Sequence, residues 1–181
     1  MFEVDEIERR AEAVLTSVPQ WIWDGESLPV PVEDIADSHF GLLVREVDDL
    51  RAAPGVPDLP NEQSLSGLLL ASAGEVWVNA SEAQAWPPRR RFTIGHELGH
   101  WVLHCEGDGA VYCRASSVRE DGRSDDGPPP LEQEANAFGA ALLMPAPLLR
   151  EHYAHNRDFH HLCSVFQASG AAMGRRLHAV I

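Results

Sequence analysis

The sequence predicts an α+β fold: several helices packed on a short, mostly antiparallel sheet. Three observations carry this. Segments near both ends and in the middle of the chain repeat apolar residues at the spacing of an amphipathic helix. Three short runs with strand character lie between residues 41 and 79, separated by turn and linker residues. The 181 residues are 44% hydrophobic and 23% charged, an ordinary composition for a folded soluble protein. That length suits one domain, 1–181, with a core of its own.

Residues 3–18 read as the first helix, with Ile7, Ala11, Val14, Leu15 and Val18 on one side and Pro19 as its stop. Residues 20–31, with Gly25, Pro29 and Pro31, form a loop that carries Trp21 and Trp23, and a short helix follows at 32–38. Strands are expected at 41–47, 65–70 and 75–79, with Ala73-Gly74 turning between the last two and a Pro-rich linker at 52–63. Trp77 is assigned to packing on the sheet, whose edge can pair with an extended peptide.

The next helix is expected from about residue 93 to about residue 105, after the turn-like Pro87-Pro88 and the basic run Arg89-Arg90-Arg91. Thr93 is its N-cap, and Leu98, Trp101, Val102 and Cys105 continue its apolar pattern. The segment 106–130, with four glycines and three consecutive prolines, reads as a flexible loop or lid. A further helix at 131–145 has Ala135, Phe138, Ala141 and Leu142 as its apolar stripe. Residues 148–181 read as C-terminal helices packing on the domain, with a break at Ser169-Gly170. A DNA-reading helix pair at 158–178 would share that spacing, but the only arginines in that stretch are Arg175 and Arg176, with His178 beside them.

Chemistry concentrates in His96-Glu97-Leu98-Gly99-His100. Residues four apart share a helical face, so His96 and His100 can offer two imidazoles to one metal ion. Glu97 is one residue round from the first ligand, where a carboxylate reaches a water on the metal. Gly99 between them lets another backbone come close. A catalytic zinc needs a third protein ligand. A third His on the same helix and turn would require Gly at 103 and His at 106, where the chain has Leu103 and Glu106. The other solution is a carboxylate on a second helix. Glu132 and Asn136 are four apart on the helix at 131–145, so Glu132 can bind the metal while Asn136 hydrogen-bonds one of the histidines. Glu134 lies about 160° round that helix, and Glu132 is preferred, with Glu134 expected in solvent.

The stretch Arg91-Phe92-Thr93-Ile94-Gly95-His96-Glu97-Leu98-Gly99-His100-Trp101-Val102-Leu103-His104, followed by Glu132-Gln133-Glu134-Ala135-Asn136 and Leu142-Leu143-Met144-Pro145, resembles the ImmA/IrrE metallo-endopeptidases. The likeness extends upstream through 28–36 and 66–79 and downstream through 162–177. It implies a small zincin-like domain with His96, His100 and Glu132 as ligands of one Zn2+ or another divalent ion, and Glu97 as the catalytic glutamate. It also implies a protein substrate, usually a helix-turn-helix repressor or related regulator encoded nearby and cut to switch a stress or mobile-element programme. Gly95 and Gly139 stand where the family often has Ala, read as a mild departure.

The expected chemistry is hydrolysis by water activated on zinc, with Glu97 as general base and later acid to the leaving amine. Such sites use a further donor for the oxyanion. His104, Tyr112, His152 and Tyr153 qualify by residue type, and His104 lies eight residues after His96, near the same face. The alternative to an enzyme is a metal-stabilised partner that sequesters a regulator without cutting it. Intact Glu97 favours the enzyme.

The net charge of −14 argues against direct binding of nucleic acid. Three cysteines leave at least one unpaired, which fits the cytoplasm. Acidic residues crowd the first positions where a leader would be apolar, and no run approaches the ~20 apolar residues of a membrane span.

Overall fold

A computed structural model describes residues 2–53, 64–105 and 128–181, with backbone alone at 64 and 111–116. Helix α1 (Val4–Ser17) buries Ile7, Ala11 and Val14, and it is followed by the short α2 (Val32–Asp34), which widens into a π turn at Ile35–His39. Strands β1 (Leu43–Val47), β2 (Ser64–Leu70), β3 (Glu75–Asn79) and β4 (Val111–Ser116) form one sheet in the order β1-β3-β2-β4. Only the β1–β3 pairing is parallel. Helices α3 (Ala80–Ala85), α4 (Pro87–His104), α5 (Pro130–Leu143), α6 (Ala146–His155), α7 (Phe159–Phe166) and α8 (Gly170–Val180) complete the described chain.

The sheet separates two apolar clusters. Leu69, Val76 and Val78 face the main core, where they meet Ile94 and Leu98 of α4, Phe138 and Leu142 of α5, and Leu162, Phe166 and Met173 of the last two helices. Leu65, Leu68 and Leu70 face the other way, into a small cluster with Leu50, Ala53 and Trp77. Side chains alternate along a strand, so Leu65 belongs to the wrong face for its distance from Leu70. A bulge between Leu65 and Gly67 absorbs one residue and restores the alternation.

Three expectations need correction. Thr93 does not cap α4: the helix begins six residues earlier at Pro87, and Thr93 is buried inside it. Proline's fixed φ suits a first helical turn, so Pro87-Pro88 starts the helix instead of preceding it. Arginines in that first turn oppose the helix dipole. Neighbouring groups offset this: Glu82 and Ser66 hold Arg89, Glu33 and Glu46 hold Arg90, and the Val30 carbonyl accepts from Arg91. Secondly, the segment read as a loop at 106–130 contributes the strand β4, which pairs antiparallel with β2. Residues 106–110 and 117–127, like 54–63 of the linker, lie outside the described residues. Thirdly, Glu134 is buried, not solvated.

Helices α7 and α8 pack into the core. Asp158 and Ser169 cap them, accepting from the His161 and Ala172 N–H groups. Arg176, one of three cations considered for a DNA-reading surface, is buried, donating to the Met144 carbonyl and pairing with Glu8 of α1.

Candidate metal centre

The centre is built by the contact of α4 with α5, and glycines make that contact close. A Cβ at Gly99 would lie 2.9 Å from the Cα and carbonyl oxygen of Ala135, and a Cβ at Gly139 would lie 3.0 Å from the Gly95 carbonyl carbon and the His96 nitrogen. Gly95 and Gly139 therefore face one another. The departure read as mild in sequence is a matched pair that sets the spacing of the two helices. With the backbones this near, Glu132 and Asn136 on α5 reach the imidazoles of α4.

His96, Glu97 and His100 are fully or almost fully buried. The His96 and His100 Nε2 atoms lie 3.1 Å apart. Glu132 closes the triangle, with Oε2 at 3.2 Å from His96 Nε2 and Oε1 at 3.0 Å from His100 Nε2. Among the described residues this is the one convergence of three metal-ligating side chains. Burial raises the Glu132 pKa, but the two imidazoles, through hydrogen bonds and charge, pull it down further, to about 2. The carboxylate is therefore ionised across the physiological range.

The donor set fits a small divalent ion. Zinc bonds of about 2.0–2.2 Å in a tetrahedral site put ligand atoms roughly 3.3 Å apart. The observed separations of 3.0, 3.1 and 3.2 Å fall just inside that figure. Two imidazole nitrogens and an anionic oxygen are also the chemistry zinc takes.

Behind each histidine stands another group. Asn136 Oδ1 lies 3.1 Å from His96 Nδ1, so the amide accepts that N–H and leaves Nε2 to the centre. His104 Nδ1 lies 3.0 Å from His100 Nδ1, and His104 Nε2 lies 2.8 Å from Glu134 Oε2. Burial pushes the His104 pKa down, against the pull of Glu134. Glu134 Oε1 accepts the Phe2 N–H at 2.6 Å.

Strand β2 passes directly over Glu97. A Cβ at Gly67 would lie 2.7 Å from Glu97 Oε1 and 2.3 Å from Thr93 Cγ2. A side chain there would have to displace the carboxylate and Thr93, and the adjacent bulge sets Ser66 against Arg89.

Of the other residues named for oxyanion duty, His152 packs edge-on against Phe166, and Tyr153 lies beneath the Arg157 guanidinium. Tyr112 is opposite Leu69 in β4, and its side chain lies outside the described residues. Sequence reasoning missed Glu134, Phe2 and Gly67. The small residues Ala135, Ala137, Gly139, Ala140 and Ala141 all round α5 were the available signal that this helix is covered on more than one side.

Residues 65–178 match the peptidase M78 family model, described as the IrrE N-terminal-like domain. A comparison with curated proteins finds no match. Among solved structures, a Mycobacterium tuberculosis transcriptional regulator aligns with a TM-score of 0.54 and 16% identity over 95% of this chain. This chain spans 46% of that protein's length, and the likeness is one of fold.

Proposed function

Because the chain belongs to the peptidase M78 family of IrrE N-terminal-like domains, we propose that it is a zinc-dependent endopeptidase that cuts a regulatory protein in the cytoplasm, a helix-turn-helix repressor encoded nearby being the favoured substrate. The observation that carries this reading is the convergence of His96, His100 and Glu132 next to a buried glutamate, Glu97. No helix of the described residues is long and apolar enough to cross a membrane.

His96, His100 and Glu132 would hold the ion. When bound, it supplies Lewis acidity and lowers the pKa of water toward about 7. Glu97 is the general base: its carboxylate takes the proton of the attacking water and delivers it to the leaving amine. Glu97 is fully buried in α4 where β2 passes over it at Gly67, so the base sits between packed helix and strand. Asn136 keeps His96 in the tautomer that presents Nε2. The substrate backbone would pair with β4, which is an edge strand of the sheet among the described residues and lies next to β2.

The test is co-expression with the adjacent regulator, using wild type and Glu97→Gln. The expected result is one cut in the regulator with wild type and none with Glu97→Gln, which keeps its metal. Equal inactivation of the regulator by both proteins, without a cut, would establish sequestration instead.

A further inference from the structure

We propose that the groove between α1, α6 and the end of α8 is a docking site for a basic amphipathic helix of a partner protein. The groove has a volume of about 610 Å³ and lies away from the metal centre. It meets α5 at Ala141, roughly 13 Å along that helix from Glu132 at about 1.5 Å per residue. Small side chains leave the hollow: Ala11 on α1, Ala141 on α5 and Ala179 on α8 stand where longer residues would fill it. The buried ring of Trp23 also lines it, held by its Nε1–H donating to the Ser27 carbonyl at 2.7 Å.

The wall formed by α1 sorts its charges. Asp5, Glu8 and Glu12 line the groove, whereas Arg9 and Arg10 pair with Glu6 outside the lining. Positions 5, 8 and 12 share one helical face, and 6, 9 and 10 another. Arg176 neutralises Glu8, donating to it from Nη2 at 2.9 Å. Asp5 and Glu12 are exposed, and their carboxylates make no hydrogen bond or ion pair among the described residues. The helix dipole accounts for an acid in the first turn, at Asp5, but Glu12 lies two turns further on and gains nothing from it. Across the groove, Pro147 and Leu148 of α6 and Val180 of α8 are apolar. Arg150, the one cation among the described lining residues, donates to the Val180 carbonyl at 3.0 Å. The result is an apolar trough with two free carboxylates along one rim, roughly 10 Å apart along α1.

This pattern selects the occupant. A helix laid in the trough places its apolar stripe against Leu15, Leu148 and Val180, and lysines or arginines two turns apart on its flank reach Asp5 and Glu12. An extended peptide has no match here. The long walls are helices whose N–H and C=O groups bond internally, so no sheet edge offers main-chain hydrogen bonds. A helical partner brings its own backbone already satisfied. Pro145 and Pro147 carry no N–H, so the start of α6 has fewer donors to offer an anion. An acidic helix would set like charges against Asp5 and Glu12. A second copy of this chain, at a net charge of −14, is disfavoured for the same reason.

The test titrates the 15N-labelled full chain with two synthetic helical peptides that share an apolar stripe. One carries lysines two turns apart on its flank, and the other carries glutamates in their place. The lysine peptide should move the amide signals of Leu15, Leu148 and Val180, and the glutamate peptide should bind at least about tenfold more weakly. The double variant Asp5→Lys, Glu12→Lys changes two exposed side chains without partners, so it should fold as wild type and reverse the preference. Metal-free and zinc-loaded protein should behave alike, so the outcome does not turn on the metal centre. No binding of the lysine peptide, shifts confined to another surface, equal affinity for both peptides, or a preference unchanged in the double variant would overturn the proposal. Groove signals that move with protein concentration in the absence of peptide would also overturn it, by seating a second copy of the chain there.

Discussion

Gly99→Ala tests how the helix contact makes the site. The added methyl would meet the Cα and carbonyl oxygen of Ala135 at 2.9 Å, where ordinary contacts begin at 3.4 Å. Both partners are backbone in packed helices, so neither can rotate aside, and α5 must retreat by roughly 0.5 Å. Overpacking of this kind costs about 1–3 kcal/mol, while alanine recovers up to about 1 kcal/mol in helix propensity. The metal-free protein should therefore lose only about 1 kcal/mol. The site suffers more. Ala135 is less than one turn from Glu132, so the carboxylate retreats with the helix, by more than the ~0.2 Å tolerance of a metal ligand. A loss of about 10–100-fold in zinc affinity is expected, comparable with losing a group that orients a ligand. Chelator competition and thermal unfolding with and without zinc measure both effects. Zinc affinity within twofold of wild type in the folded variant would refute the reasoning.

Two further outcomes follow from the same geometry. Gly67→Ala forces its methyl against Glu97 and Thr93, so cleavage should fall by at least about 100-fold while zinc stoichiometry stays unchanged; metal analysis beside a cleavage assay checks this. Acid should weaken the metal-free protein through Glu132, whose pKa drops from 4.5 in the unfolded chain to about 2 in the fold. Below pH 4.5 the unfolded state binds the proton first, so stability present at neutral pH declines as pH falls toward 2. Denaturant midpoints of wild type between pH 6 and pH 2.5 should fall more steeply than those of Glu132→Gln; parallel curves would count against the interaction.

The sequence made the convergence of the candidate site legible because helical spacing is rigid. His96 and His100 four apart, and Glu132 and Asn136 four apart, can each face only one way along a helix, and Gly99 announced that something comes close. The strands at 65–70 and 75–79 were equally plain, since alternation and a Gly turn mark them. What escaped depended on contacts distant in sequence. Glu134 seemed solvated because the helical wheel knows only its own helix; the Phe2 amide and His104 meet it from elsewhere in the chain. Thr93 seemed a cap because capping residues are read locally, whereas the three arginines before it enter the helix with Glu82 beside Arg89, Glu33 and Glu46 beside Arg90, and the Val30 carbonyl accepting from Arg91. β4 was hidden in a stretch whose glycines and prolines spoke for a loop, and its register is dictated by β2.

The most direct measurement is metal content of the pure, untagged protein and of Glu132→Ala, combined with anomalous diffraction at the absorption edge of the bound element. The account predicts one divalent ion per wild-type chain, with its peak between the Nε2 atoms of His96 and His100 and the Glu132 carboxylate, and loss of stoichiometric metal in Glu132→Ala. Wild-type protein without stoichiometric metal, even after incubation with zinc, or a peak away from those three side chains, would contradict it.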